Sequence, residues 1–438
     1  MIPSWHLHVD VAAAPRRPIA GTGVAAPVPS PPQVIEQWRR LDAAAADWRR
    51  LAPAERVQRI AAASAALRAG GPGGWAEVLA RSTGLSSAGL AAAWDVTFAA
   101  CDAPSLEAAA AAEPEAMVAP GTRLVHVLAG NVLPPTWTML VRGFLVGAAQ
   151  WLRPASREPL FAPCVATRLA EHDPALAASF AVLWWPHDDV AVEPVVLGAA
   201  QVVTGQGDDA SVAAVAARVA AAAPQARFVG YGARWSAALV ARGAQTAAVA
   251  TALARDLALF DGQGCLSPAL VLAEDGPRLE AWCALLGDAL ATMETRLPRG
   301  AVTAEGRAAL RRWRFAVQLG RALGTHRALV ASPRSTAWAV ALHARCEWPE
   351  PPLDRHVPVL PFSTLGEVRA GLGARLERLQ GLAVAWDEWD PGARAAWRDA
   401  LVPTRVAAAG TLQDAPPGWR QDHRPPLASL VVGELSRS

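Results

Sequence analysis

The sequence predicts an α/β protein: a doubly wound parallel-sheet domain plus a second α/β domain. Three observations predict it. Between Arg123 and Tyr231, short apolar runs alternate with helix-length stretches, the pattern of strand–loop–helix units in a parallel sheet. The loops after those runs carry glycine and proline, which suit tight turns and close approach of a ligand. A looser alternation resumes after the Gly-rich loop Asp261–Pro268. Right-handed crossovers put such loops at one sheet edge, where ligands bind.

Taken in order, residues 1–30 are rich in Pro, Ala and Gly and read as an extended or poorly ordered lead-in. The His6-x-His8 pair has no carboxylate or cysteine cluster beside it, so it reads as a solvated tail. From Pro32 to about Leu67, Val34, Trp38, Leu41, Trp48, Leu51, Val57 and Ile60 form an apolar helical face, with arginines opposite. Pro53 opens a new helix. Two further helical stretches run to about Ala112.

Then the character changes. Leu124–Leu128 reads as a strand and Thr136–Gly147 as a helix. Next come strand Ala149–Leu152, helix Leu160–Glu171 and strand Ala181–Trp185. Helix Asp208–Ala222 and strand Arg227–Tyr231 complete this half. Gly205 and Gly207 stand just before a helix N-terminus, where a pyrophosphate can bind. Asn131, in the first loop, can cap the helix after it.

In the second half, helix Ala247–Phe260 leads into the Asp261–Pro268 loop and strand Ala269–Ala273. Helices Arg278–Thr295 and Ala304–Leu323 come next. Strand-like runs lie at Ala328–Ala331, Ala337–Leu342 and His356–Phe362. Helix Leu365–Leu379, strand Leu382–Trp386 and an edge strand at Leu430–Val432 end the chain. The domain reading is a lead-in at 1–30, a helical layer with a nucleotide-binding domain at 31–232, a catalytic domain at 233–400, and a C-terminal extension at 401–438 with oligomerisation as its candidate role.

Composition narrows the function. The chain is 52% apolar and 18% charged, as globular proteins are. A net charge of +2 gives no reason to expect nucleic acid. It contains no lysine, which excludes Schiff-base and P-loop lysine chemistry. Five widely spaced cysteines without a CxxC pair point to neither disulfides nor zinc, and to a reducing, cytoplasmic setting. No stretch is long and apolar enough for a membrane span. Cys265, on a turn between two apolar runs, is either a nucleophile or an inert small residue in a loop.

Five segments in order carry a resemblance. They are Gly130-Asn131-Val132, Arg153-Pro154-Ala155-Ser156 ending at Pro159, Val203-Thr204-Gly205-Gln206, Phe228-Val229-Gly230-Tyr231-Gly232, and Asp261-Gly262-Gln263-Gly264-Cys265-Leu266-Ser267-Pro268. Together they resemble the aldehyde dehydrogenase superfamily, and within it the LuxC-type long-chain acyl-CoA reductases. The resemblance implies an aldehyde dehydrogenase-like fold and Cys265 as nucleophile. It also implies that the Asn131 amide binds the oxyanion, and that Arg153, Ser156, Gly205 and Gly207 contact the nicotinamide cofactor.

Two departures sharpen the expectation. The superfamily's glutamate, which activates water against the acyl-enzyme, matches Gly230; a general base typically contributes 10²–10⁴-fold, so the acyl-enzyme should outlast hydrolysis. The superfamily's ribose-binding lysine and glutamate match Arg153 and Ser156. An arginine and a hydroxyl suit a 2′-phosphate, so NADPH is expected, with NADH as the alternative.

The function implied is reduction of an acyl-CoA or acyl-carrier thioester to the aldehyde. Two alternatives remain: an aldehyde dehydrogenase working oxidatively, and a non-catalytic relative that binds a partner. The resemblance also implies a homo-oligomer.

Overall fold

The computed structural model describes residues 5–130 and 132–432. They divide into two units, residues 5–83, 93–233 and 415–432 forming one, and 84–92 with 234–414 the other.

The first unit opens on a hairpin of β1 (Arg16–Ile19) and β2 (Val24–Pro27). Helices Pro31–Arg49 and Pro53–Gly70 follow, each with proline in its first turn, where the missing N–H costs no hydrogen bond. The sheet is built from β3 (Arg123–Val127), β4 (Ala149–Arg153), β5 (Phe180–Val182), β6 (Val202–Gln206) and β7 (Arg227–Tyr231). Their order is β5-β4-β3-β6-β7 and every pairing is parallel. Sequence neighbours Leu124 and Val125 point to opposite faces, yet both are fully buried, as befits a sheet covered on both sides. The order reverses between β3 and β6. The loops after β3, β4 and β6 are therefore neighbours at the carboxyl edge, at the switch point.

The second unit holds seven strands: β8 (Trp235–Val240), β9 (Pro268–Glu274), β10 (His326–Ala331), β11 (Ala339–His343), β12 (His356–Phe362), β13 (Leu379–Ala385) and β14 (Arg405–Ala408). Their order is β10-β11-β12-β9-β8-β13-β14, and only β10–β11 is antiparallel. Leu239, Leu270, Leu272 and Leu360 are fully buried, each contributing about 1.5–3 kcal/mol.

The structure departs from the sequence expectations in four places. The lead-in is anchored: Trp5 is buried and its indole N–H donates to the Ala25 carbonyl at 3.0 Å. His6 bridges to Val182 of edge strand β5 and its ring packs, tilted, against that of Phe180. Burial pushes the His6 pKa down to about 4, so this residue belongs to the fold and not to a solvated tail. Strand β8, which the sequence reading passed over, lies in the interior of its sheet, because Ser-Ala-Ala-Leu-Val carries no periodicity that separates strand from helix.

The last two departures concern residues 401–438, read as one extension. Arg405–Ala408 is the edge strand β14 of the second unit, whereas the described residues from 415 on belong to the first. There Arg142 donates to the Pro417 and Trp419 carbonyls, and Arg227 to those of Ala428, Ser429 and Val431. Leu430–Val432 is no strand; Ala428–Leu430 is a 3₁₀ turn.

Candidate active site

The Cys265 turn lies in the second unit. Helix Ala247–Ala258, capped by the Thr246 hydroxyl, delivers the chain to a 3₁₀ turn at Leu259–Gly262. Phe260 (φ 55°), Asp261 (φ 54°) and Gly262 (φ 73°) are all left-handed there. Glycine adopts this freely; Phe and Asp each cost about 1–2 kcal/mol, so neighbours must hold them. The Asp261 carboxylate pairs with the Arg355 guanidinium at 2.6 Å and accepts the Gly300 N–H at 3.0 Å. Arg355 also donates to Glu294 at 2.9 Å and to the Leu297 carbonyl at 2.7 Å.

The next residues are braced from the other side. The Gly264 N–H donates to the Ser267 hydroxyl at 3.1 Å, and the Gln413 amide donates to the same hydroxyl at 2.8 Å. The Ser236 hydroxyl, on β8, donates to the Cys265 carbonyl at 2.6 Å. Cys265 is thus held at the head of β9, a central parallel strand, with its side chain half-buried. The other four thiols are poor nucleophiles. Burial pushes Cys101, Cys283 and Cys346 up to about 12, and Cys164 upward as well.

Asp256, on the helix before the turn, is fully buried. Its carboxylate accepts the Gly410 N–H at 2.7 Å and the Leu412 N–H at 3.2 Å. Burial outweighs these bonds and pushes its carboxyl up to about 7. The Gln413 amide joins the Asp256 carbonyl to Ser267.

In the first unit, the carboxyl edge collects Gly130, Arg153, Ser156, Gly205 and Gly207. A Cβ on Gly130 would lie 2.7 Å from that of Ala155, so the loops after β3 and β4 touch only because this residue is glycine. Gly205 is bare for a similar reason: a Cβ would lie 2.8 Å from the Phe228 ring. Arg153 is buried, donates to the Trp185 carbonyl at 2.9 Å and lies over the Trp185 ring. Burial lowers its pKa to about 10, so it stays charged at neutral pH. Ser156 is exposed and its hydroxyl accepts the Trp184 indole N–H at 3.0 Å.

Glu158 turns inward. It accepts the Leu160 and Phe161 N–H groups, capping helix Phe161–His172, and takes the Ser82 hydroxyl at 2.8 Å. Gly230 has no room for a side chain, since a Cβ would lie 2.6 Å from a Val212 methyl. Asn131 lies outside the described residues.

Sequence reasoning missed Arg355, Asp256, Gln413, Glu158 and the Trp184–Trp185 pair as supports of these loops. Of these only Glu158 left a signal, since an acidic residue just before a helix is a capping pattern. No cluster of metal-ligating side chains occurs among the described residues. No helix among them is long and apolar enough to cross a membrane.

Comparison with known proteins decides the family. A family model described as acyl-CoA reductase (LuxC) matches residues 111–432. The chain belongs to the LuxC acyl-CoA reductase family. Such enzymes are oxidoreductases of the acyl and aldehyde carbonyl. This LuxC-family chain is 27% identical over 146 residues to the long-chain acyl-protein thioester reductase of Aliivibrio fischeri, a match covering 33% of the chain and 30% of that relative.

Solved structures show the same fold. Aldehyde dehydrogenase 21 of Physcomitrella patens, in complex with succinate, superposes with a TM-score of 0.69 at 13% identity, over 97% of the chain and 92% of its own. A mutant indole-3-acetaldehyde dehydrogenase of P. syringae, in complex with NAD+, gives 0.67 at 16%, over 93% and 88%. The aldehyde dehydrogenase-like fold expected from the sequence is thus the one observed.

Proposed function

We propose that this LuxC-family protein reduces an acyl-CoA to the aldehyde with NADPH, through an acyl group carried on Cys265. The supporting observation is the presentation of Cys265: a half-buried cysteine on a strained and doubly braced turn at the head of a central strand. A turn held at that cost serves geometry, since relaxation to a right-handed turn would be cheaper.

The residues at the first unit's edge fit a phosphorylated nicotinamide cofactor. Arg153 is charged, Ser156 is exposed, and the nearby carboxylates are engaged, Glu158 by the Leu160 and Phe161 N–H groups and Glu193 by Arg218 and the Trp185 indole N–H. A guanidinium and a hydroxyl at this edge suit a 2′-phosphate. When bound, NADPH supplies a hydride equivalent to the acyl carbon.

The chain's own residues do the rest. The Cys265 thiolate attacks the thioester carbonyl, and the carbon–sulfur bond to CoA breaks as the CoA thiolate leaves and takes a proton. Exchange of one thioester for another is nearly isoenergetic, so orientation sets the rate. The Cys265 N–H and the Asn131 amide would hold the oxyanion; one such donor is worth about 10²–10³-fold. After reduction the thiohemiacetal collapses: the C=O re-forms, the bond to Cys265 breaks, and aldehyde leaves. Gly230, with its space already filled, offers no base to bring water to the acyl group.

Incubation with radiolabelled acyl-CoA without cofactor tests the reading. The label should stay on the protein, and added NADPH should release it as aldehyde. Release as acid, or no label at all, would overturn it. The cofactor preference has its own test. Ser156→Glu puts a carboxylate against the 2′-phosphate, so kcat/KM for NADPH should fall about 10–100-fold, with NADH affected only a few-fold. An equal fall for both cofactors would remove Ser156 from the 2′-phosphate site.

A further inference from the structure

The turn before Cys265 faces a second turn of the same hand in the second unit. Leu353 (φ 58°), Asp354 (φ 50°) and Arg355 (φ 61°) are left-handed in succession. None of them is glycine. The two turns meet closely: a Cβ on Gly262 would lie 3.4 Å from the Arg355 nitrogen, and the Gln263 amide donates to Asp354 at 3.0 Å. The Arg355 side chain is only 2% exposed. One of its nitrogens reaches Asp261, the other reaches Glu294 and the Leu297 carbonyl.

The base of the second turn is fixed as well. The His356 N–H donates to the Leu353 carbonyl at 2.9 Å. The His356 ring lies 2.9 Å from the Asp354 carbonyl, which only a protonated Nδ1 can satisfy, leaving Nε2 to accept from Arg314 at 3.1 Å. Arg314 in turn donates to the Trp338 carbonyl at 2.7 Å. So Arg355 reaches the cysteine turn from a rigid base, and a planar fork bonded on both sides fixes direction as a point charge would not.

We propose that Arg355 is a positioning residue: by gripping Asp261 it holds Phe260–Gly262 left-handed and so sets the angle at which Cys265 meets an acyl carbonyl. The proposal rests on the acyl-Cys265 reading above and adds the part that aims the sulfur. Arg355 acts through Asp261 and touches no reacting atom. A buried pair broken on one side leaves an uncompensated charge, so the turn should move rather than keep its form.

The test uses the full chain and four substitutions: Arg355→Gln, Asp261→Asn, Gln263→Ala and Arg355→Lys. Single-turnover acylation by acyl-CoA should slow about 100-fold in the first two, the loss expected from a displacement near 1 Å, and about 10-fold in the third. NADPH affinity should stay within about 3-fold, because its expected residues lie in the other unit. Arg355→Lys should recover part of the rate. Gln263→Ala keeps the test open if the buried variants fail to fold.

Alkylation of Cys265 by iodoacetamide is followed in parallel, since it reports the turn without acyl chemistry. If wild type takes no acyl group but Asp261→Asn changes alkylation by about 10-fold, the thioester reading fails and the positioning role stands. If folded variants melt earlier yet acylate and alkylate at wild-type rates, Arg355 only stabilises the fold and the proposal is overturned.

Discussion

Cys265→Ser should fold as the wild type does and lose the reaction. The change is nearly isosteric and the side chain is half-buried, so the melting temperature should move by only about 2 °C. Turnover should fall by about 10⁴-fold or more, because a serine hydroxyl needs a base to become a nucleophile, and no such base is proposed beside it. Intact mass after incubation with acyl-CoA checks this: one acyl group on the wild type, none on the variant. The other cysteines should not take over. A thiol pushed up to about 12, as at Cys346, is thiolate to about one part in 10⁵ at neutral pH. Undiminished acylation of Cys265→Ser would remove this residue from the mechanism.

Asp256→Asn should change how stability depends on pH. The folded carboxyl titrates at about 7 because burial disfavours its charge, whereas an unfolded Asp titrates near 3.9. Between those values the folded chain holds a proton that the unfolded chain has released. Asp256 therefore favours folding fully below about pH 4, and that contribution is lost as pH rises through about 7. A difference of this size corresponds to on the order of 4 kcal/mol.

Asparagine does not titrate, so the wild type's decline between about pH 4 and about pH 7 should shrink by that amount in the variant. At the same time one of the Gly410 and Leu412 N–H groups loses its acceptor, at about 1–3 kcal/mol. Urea unfolding of both proteins across that range measures each effect. Parallel curves would show that Asp256 does not titrate as described.

What could be read from the sequence follows a physical division. β3 and β12 were legible because a strand buried on both faces must be a continuous apolar run, and such runs stand out between turns. β8 was not, since a short alanine-bearing segment satisfies helix and strand alike. The anchoring of residues 5–27 was not legible either. Nothing within that segment shows that edge strand β5 needs a cover, or that Phe180 waits for the His6 ring.

The residues at the carboxyl edge of the first sheet and Cys265 could be named because they sit in contiguous motifs with turn residues between them. Their supports could not. Arg355 lies far along the chain from Asp261, and in a chain whose basic residues are all arginine, one more arginine carries no signal. Gln413 reaches Ser267 across a still longer gap.

By itself, then, the sequence determined the alternation of strands and helices, the loops at their carboxyl ends, and the cysteine turn, because each depends on residues adjacent in the chain. Tertiary structure alone decided that Arg355 would lock a left-handed turn, that Asp256 would be buried deeply enough to hold a proton near neutral pH, and that Gly230 would have no space for a base. Those outcomes depend on desolvation and on which distant segments meet, and neither is encoded at any single stretch of residues.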